Sequence, residues 1–112
     1  MTKRTLAALA ITALFNQPAL AGQTLLTLGA PSCGKWTVEV KNESALGLAY
    51  GSWLTGYLSG ASYGSQRDIL KDKPDKEGLM LWVGNYCQKN PLASVTDAAQ
   101  ELIRELIKKN NQ

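Results

Sequence analysis

At 112 residues, with twelve basic and nine acidic side chains and a formal charge of +3, the chain has room for one domain with one modest core. It contains no histidine, which excludes Ser–His and Cys–His nucleophile pairs and histidine-ligated zinc. No Gly-x-Ser-x-Gly elbow, phosphate loop or dinucleotide fingerprint is present, so a non-enzymatic protein without cofactor or metal is expected.

The first element in chain order is a leader. Met1-Thr2-Lys3-Arg4 is short and cationic, and Thr5 to Phe15 is uncharged and rich in Leu and Ala. Asn16-Gln17-Pro18 breaks the apolar run, and Ala19-Leu20-Ala21 places small residues where a signal peptidase needs them. The run is shorter than the roughly 20 residues a membrane span requires. Residues 1–21 therefore read as a cleavable signal peptide, and 22–112 as a single domain destined for the periplasm or for secretion. Removing Lys3 and Arg4 brings the charge to about +1, so bulk charge offers no case for nucleic acid or a membrane surface.

Both cysteines, Cys33 and Cys87, lie in the exported part, and an even count in an oxidising compartment reads as a disulfide. Lipidation of Cys33 is the competing reading; Ala30-Pro31-Ser32 before it is not a Leu-rich lipobox. Around the first cysteine the pattern is extended. Trp36, Val38 and Val40 alternate with Thr37, Glu39 and Lys41, the period of a half-buried strand, and Thr24-Leu25-Leu26-Thr27-Leu28 fits as its partner.

Three helices follow. Ser44 is an N-cap for a helix over Ala45 to about Ser62, with Leu46, Ala49, Trp53, Tyr57 and Gly60 at helical spacing. Ser52, Gly56, Gly60 and Gly64 form a second row, and glycines inside a helix point to close approach of another backbone. This segment is uncharged, but most of it is Gly, Ser, Thr, Tyr and Trp, too polar for lipid. Ser65 to Lys73 reads as a polar loop. Pro74 opens the next helix, with Asp75 and Glu77 near its positive end, and Leu79, Trp82, Val83 and Tyr86 form its apolar face to Lys89. Cys87 borders that face. Asn90-Pro91 starts a last helix with a stripe of Leu92, Val95, Ala99, Leu102, Ile103 and Leu106, and Glu105 and Lys109 stand at a favourable ion-pair spacing. The fold class expected is mainly α: a small disulfide-closed domain of about three helices behind an extended, β-compatible N-terminal segment.

Glu39, Glu43, Asp68, Asp72, Asp75 and Glu77 are the candidates for paired-carboxylate chemistry, but they fall in segments that read as solvated surface. Asn42-Glu43-Ser44 matches a glycosylation acceptor. The aromatic set, Trp36, Trp53, Trp82, Tyr50, Tyr57, Tyr63 and Tyr86, reads mostly as core. Tyr63 leaves its helix where the packing ends. With Gln66, Arg67 and Asp68 of the following loop it is the candidate partner-binding surface.

Cys33-Gly34-Lys35-Trp36, Trp53-Leu54-Thr55-Gly56-Tyr57-Leu58-Ser59-Gly60, Trp82, and Tyr86-Cys87-Gln88-Lys89-Asn90-Pro91, followed by a terminal amphipathic helix, together resemble the Rap/Tai group of small periplasmic proteins. The resemblance runs from Cys33 to Leu106. It implies a helical, disulfide-bonded, commonly dimeric immunity protein that blocks a cell-wall amidase effector of type VI secretion. The matching pieces concern helix packing, the bridge and a cap, so no effector-contacting residue is carried over. The strand-like stretch at Trp36–Lys41 departs from that purely helical pattern. The chain is similar, more loosely, to HdeA-like periplasmic stress chaperones, which differ from it in cysteine spacing.

Overall fold

The computed structural model describes residues 30–111. They form four helices: α1 (Cys33–Lys41), α2 (Ala45–Ser65), α3 (Lys76–Lys89) and α4 (Val95–Asn110). Every one begins on a side-chain oxygen that accepts a backbone N–H three residues ahead. Ser32 accepts from Lys35, Ser44 from Gly47, Asp75 from Gly78 and Ser94 from Asp97. Each cap satisfies one of the donors a helix start leaves free. The leader at 1–21 and the strand at Thr24–Leu28 lie outside the described residues.

The mainly helical, disulfide-closed domain expected from the sequence is present, with one helix more than expected. Residues 36–41 are helical, not a strand. The alternation would bury Val38 on the same side as Trp36 and Val40. In the helix Cys33, Trp36 and Val40 share the inner face, and Val38 is 55% exposed. The Ser32 cap and the Cys33 bridge at the first turn select the helical period.

The other boundaries shift for local reasons. Pro74 precedes the Asp75 cap and lies outside α3. At α4 two starts compete, Asn90-Pro91 and Ser94. Ser94 wins because it forms a capping box: its hydroxyl receives the Asp97 N–H while its own N–H and O–H donate to the Asp97 carboxylate, at 3.1 and 2.7 Å. Leu92 is consequently outside the helix and fully exposed rather than part of its stripe.

The core joins all four helices. Trp36 stacks on Tyr50 with ring centroids 6.1 Å apart, and Leu54, Leu58, Leu79, Val83, Val95, Ala98, Ala99 and Leu102 fill the space around them. Cys33 and Cys87 are bonded inside this cluster, at 0% and 2% exposure, tying the start of α1 to the end of α3. The starts of α1 and α4 are held side by side: Cys33 N–H donates to the Ala93 carbonyl at 2.9 Å, and Val95 N–H to that of Pro31 at 3.0 Å. No helix among the described residues is long and apolar enough to cross a membrane.

Candidate functional site

The two sides of α2 have different fates. Gly47, Tyr50, Gly51, Leu54 and Leu58 are buried, a stripe one residue out of step with the expected Leu46–Ala49–Trp53–Tyr57–Gly60 row. Leu46 and Ala49 are exposed, and Trp53 and Tyr57 are half-buried and stacked, with centroids 5.1 Å apart. The close approaches occur at Gly47 and Gly51. A Cβ on Gly47 would lie 2.6 Å from the Glu39 carbonyl oxygen, and one on Gly51 would lie 2.7 Å from Met80 Sδ. The row expected to admit another backbone, Ser52, Gly56, Gly60 and Gly64, instead faces outward. Nothing in the described protein lies within 4 Å of a Cβ added at Gly56, Gly60 or Gly64. Leu48, 61% exposed, belongs to the same outer side.

This bare, uncharged face ends in the sequence-predicted surface, and the structure brings those residues together. Tyr63 is 90% exposed. Gln66 closes α2 in the left-handed conformation at φ 55°, turning the chain so that Arg67 and Asp68 follow alongside. Tyr63, Gln66, Arg67 and Asp68 line one shallow depression of about 570 Å3, with Ser59, Ser62 and Leu70. Arg67 and Asp68 take no part in the ion pairs found among the described residues, Arg104–Glu101 and Lys109–Asp72.

The loop behind them is anchored by residues the sequence did not single out. Ile69 is buried. Ser62 Oγ donates to the Arg67 carbonyl at 2.7 Å and accepts from the Ile69 N–H at 3.3 Å. From α4, Asn110 Nδ2 donates to the carbonyls of Asp68 and Ile69 at 3.1 and 3.2 Å, and its own carbonyl accepts from Lys71 Nζ at 3.1 Å. These bonds span about forty positions, so only a cluster of amide and hydroxyl side chains at the helix ends hinted at them.

The carboxylates do other work. Glu39 accepts from Ser44 Oγ at 2.6 Å, Asp75 caps α3, and Asp72 faces Lys109 at 3.9 Å in place of the expected Glu105–Lys109 pair. Asp97 is held below the ordinary aspartate range by the Ser94 hydroxyl and, next, by the Ser94 N–H. Among the described residues no charged side chain is buried, and no three Cys, Asp or Glu side chains gather as a metal site. Asn42, in the glycosylation triplet, is exposed at the end of α1, while Ser44 is occupied as the α2 cap. The geometry at Tyr63 offers contact area, hydrogen-bonding groups and one charge of each sign, the chemistry of a docking surface. No family model, curated protein or solved structure matches the chain.

Proposed function

We propose that this chain is an exported, non-catalytic binding protein of immunity type. It covers the active cleft of a partner enzyme with the outer face of α2 and the Tyr63–Asp68 loop, and the Rap/Tai resemblance makes that partner a cell-wall amidase effector. The observation that carries the reading is the outer face itself. It is an uncharged helix side with open space in front of Gly56 and Gly60, ending on an almost fully exposed tyrosine set in an anchored loop. Glycine lets a partner backbone come close, and a tyrosine at the edge supplies large contact area at small conformational cost. The 21-residue helix is about 31 Å long and its bare side about 10 Å wide, roughly 300 Å2. A specific interface needs about 800 Å2 per partner, so the loop must take part.

The chain purified from a periplasmic extract should carry a cell-wall hydrolase with it and protect a sensitive strain. Tyr63→Ala and Gly60→Arg should each abolish both without lowering the melting temperature appreciably, because neither position touches the core and arginine is a better helix former than glycine. Absence of any co-purifying hydrolase together with absence of protection, or variants that bind as well as the parent, would refute the reading. N-terminal sequencing of the same material tests export: the reading requires Gly22 as the first residue.

A further inference from the structure

The last turn of α4 supports the Tyr63 loop from behind. Arg67 and Asp68 line two depressions at once and so form the ridge between them. Tyr63 and Gln66 lie on one side of that ridge, and Lys71, Ile107 and Asn110 on the other. Asn110 is therefore outside the depression that Tyr63 lines, yet it holds the ridge by its backbone. Its Nδ2 donates to the carbonyls of Asp68 and Ile69 at 3.1 and 3.2 Å. Among the described residues the Ile69 carbonyl accepts no other hydrogen bond, and the Asp68 carbonyl accepts only one more, a long 3.4 Å bond from the Lys71 N–H. The loop needs such support. It is bracketed by Gln66 at φ 55° and Lys73 at φ 48°, both left-handed without being glycine. Backbone of that kind persists where its neighbours over-determine it. Ser62 of α2 fixes the Arg67 carbonyl and the Ile69 N–H, and Asn110 of α4 fixes the two carbonyls that follow. The tie runs both ways: Lys71 Nζ donates to the main-chain carbonyl of Asn110 at 3.1 Å.

We propose that Asn110 is a positioning residue for partner binding: it sets the Arg67–Asp68 ridge in its binding shape before the partner arrives. This rests on the docking role proposed above for the same loop and names the residue that governs its affinity. A loop ordered in advance spares the complex the entropy of ordering it. Fixing the backbone of a single residue shifts an equilibrium by about tenfold. Without the Asn110 amide, the carbonyls of Asp68 and Ile69 lose their shared donor, and the ridge must be ordered by the partner instead. The Ser62 bonds remain, so the loop loosens on its α4 side while α2 and the core stay as they are.

The test uses Asn110→Ala, which removes the amide, and Asn110→Asp, which keeps its size but sets an acceptor against two carbonyls. Amide hydrogen exchange is read over 66–73 in the free, oxidised chain. Affinity is read by titration with the purified hydrolase that the parent captures. Both variants should exchange about tenfold faster over 66–73, the change that two modest hydrogen bonds carry, with α1 and α3 unaltered. Both should bind the hydrolase about tenfold more weakly, and exchange over 66–73 should be slow again in the complex. Ser94→Ala weakens α4 at its other end and serves as the control for stability alone: it should change neither reading. Parent-like exchange in the Asn110 variants, faster exchange with parent affinity, or equal weakening by Ser94→Ala would overturn the proposal. A parent chain that captures no hydrolase would remove the docking role and this one with it, while exchange in the free chain still shows whether Asn110 holds the loop.

Discussion

Replacing glycine by alanine along α2 should change stability in opposite directions on its two faces. At Gly56 and Gly60 an added Cβ meets nothing within 4 Å. Alanine there gains helix propensity and restricts the unfolded chain, and each substitution should stabilise by about 0.5–1 kcal/mol. At Gly47 the same methyl would lie 2.6 Å from Glu39 O, 3.0 Å from Glu39 C and 3.2 Å from Val40 Cα. All three are backbone atoms at the end of α1, held by the Ser44 N–H and hydroxyl on Glu39, so no rotamer can relieve the contact. Moving α1 away costs about 1–3 kcal/mol against a propensity gain of about 0.5–1 kcal/mol, for a net loss centred near 1 kcal/mol. For a domain of this size 1 kcal/mol moves the melting temperature by about 4–8 °C. Thermal unfolding of the oxidised protein, followed by circular dichroism, should therefore put Gly47→Ala at least 4 °C below the parent and Gly56→Ala a few degrees above it. A Gly47→Ala protein that melts with the parent, or a Gly56→Ala protein that melts below it, would show that the α1–α2 contact and the bare face have been assigned to the wrong sides.

The Cys33–Cys87 bridge spans 54 positions and should contribute about 4 kcal/mol through the unfolded chain, a large share of the 5–15 kcal/mol typical of a domain. Urea unfolding of the Cys33→Ala/Cys87→Ala pair should show a loss of about 4 kcal/mol, and a loss under about 1 kcal/mol would contradict the buried, core-tying position of the sulfurs. Ser94→Ala removes the reciprocal cap of α4 and should cost about 1 kcal/mol. Because Asp97 is held below its unfolded value, its contribution is present at neutral pH. It is lost as pH falls from about 4 through the lower folded value. Asp97→Asn should flatten the stability curve in that range and leave its shape at higher pH unchanged.

Three of the four helices were legible in existence and type from a start signal and a helical apolar period, although the start of α4 and the buried stripe of α2 were misplaced. Ser44, the acidic start at Asp75 and the Leu92–Leu106 stripe all point to helices that form, the last without Leu92. α1 was hidden because six residues, Trp36 to Lys41, satisfy two periods at once. The decisive signs lay just upstream, in Ser32 as a cap and Cys33 three residues before Trp36. The α2 stripe was displaced by one position because two large aromatics, Trp53 and Tyr57, outweighed Tyr50, Leu54 and Leu58. In the fold those aromatics stack on each other at the margin while the smaller leucines fill the centre. Lys109 could be matched by sequence only to Glu105, one turn away. Its partner, Asp72, is brought close by the loop that Asn110 holds down, a contact between segments with no local signature.

The candidate surface was legible at its tip and not along its length. Tyr63 and the polar residues after it stand where an uncharged helix stops, which sequence can show. Whether a glycine row is packed or bare is a property of its neighbours, and in α2 both kinds occur a few residues apart. At Gly47 and Gly51 the missing side chains are filled by the α1 backbone and by Met80, so the helix-propensity penalty, about 1 kcal/mol each, is offset inside the molecule. Gly56 and Gly60 carry the same penalty with no neighbour in the described protein to offset it. On the function proposed above, a contact with the partner is that offset. The two effects of alanine at these positions should then run against each other: the free domain becomes more stable while its complex with the partner weakens, because a methyl now stands where the partner's backbone must come. Measuring both on the Gly56→Ala/Gly60→Ala protein separates a bare face kept for contact from one that is merely tolerated. Higher stability with undiminished partner capture would remove the outer face of α2 from the interface and leave the Tyr63 loop to carry it alone.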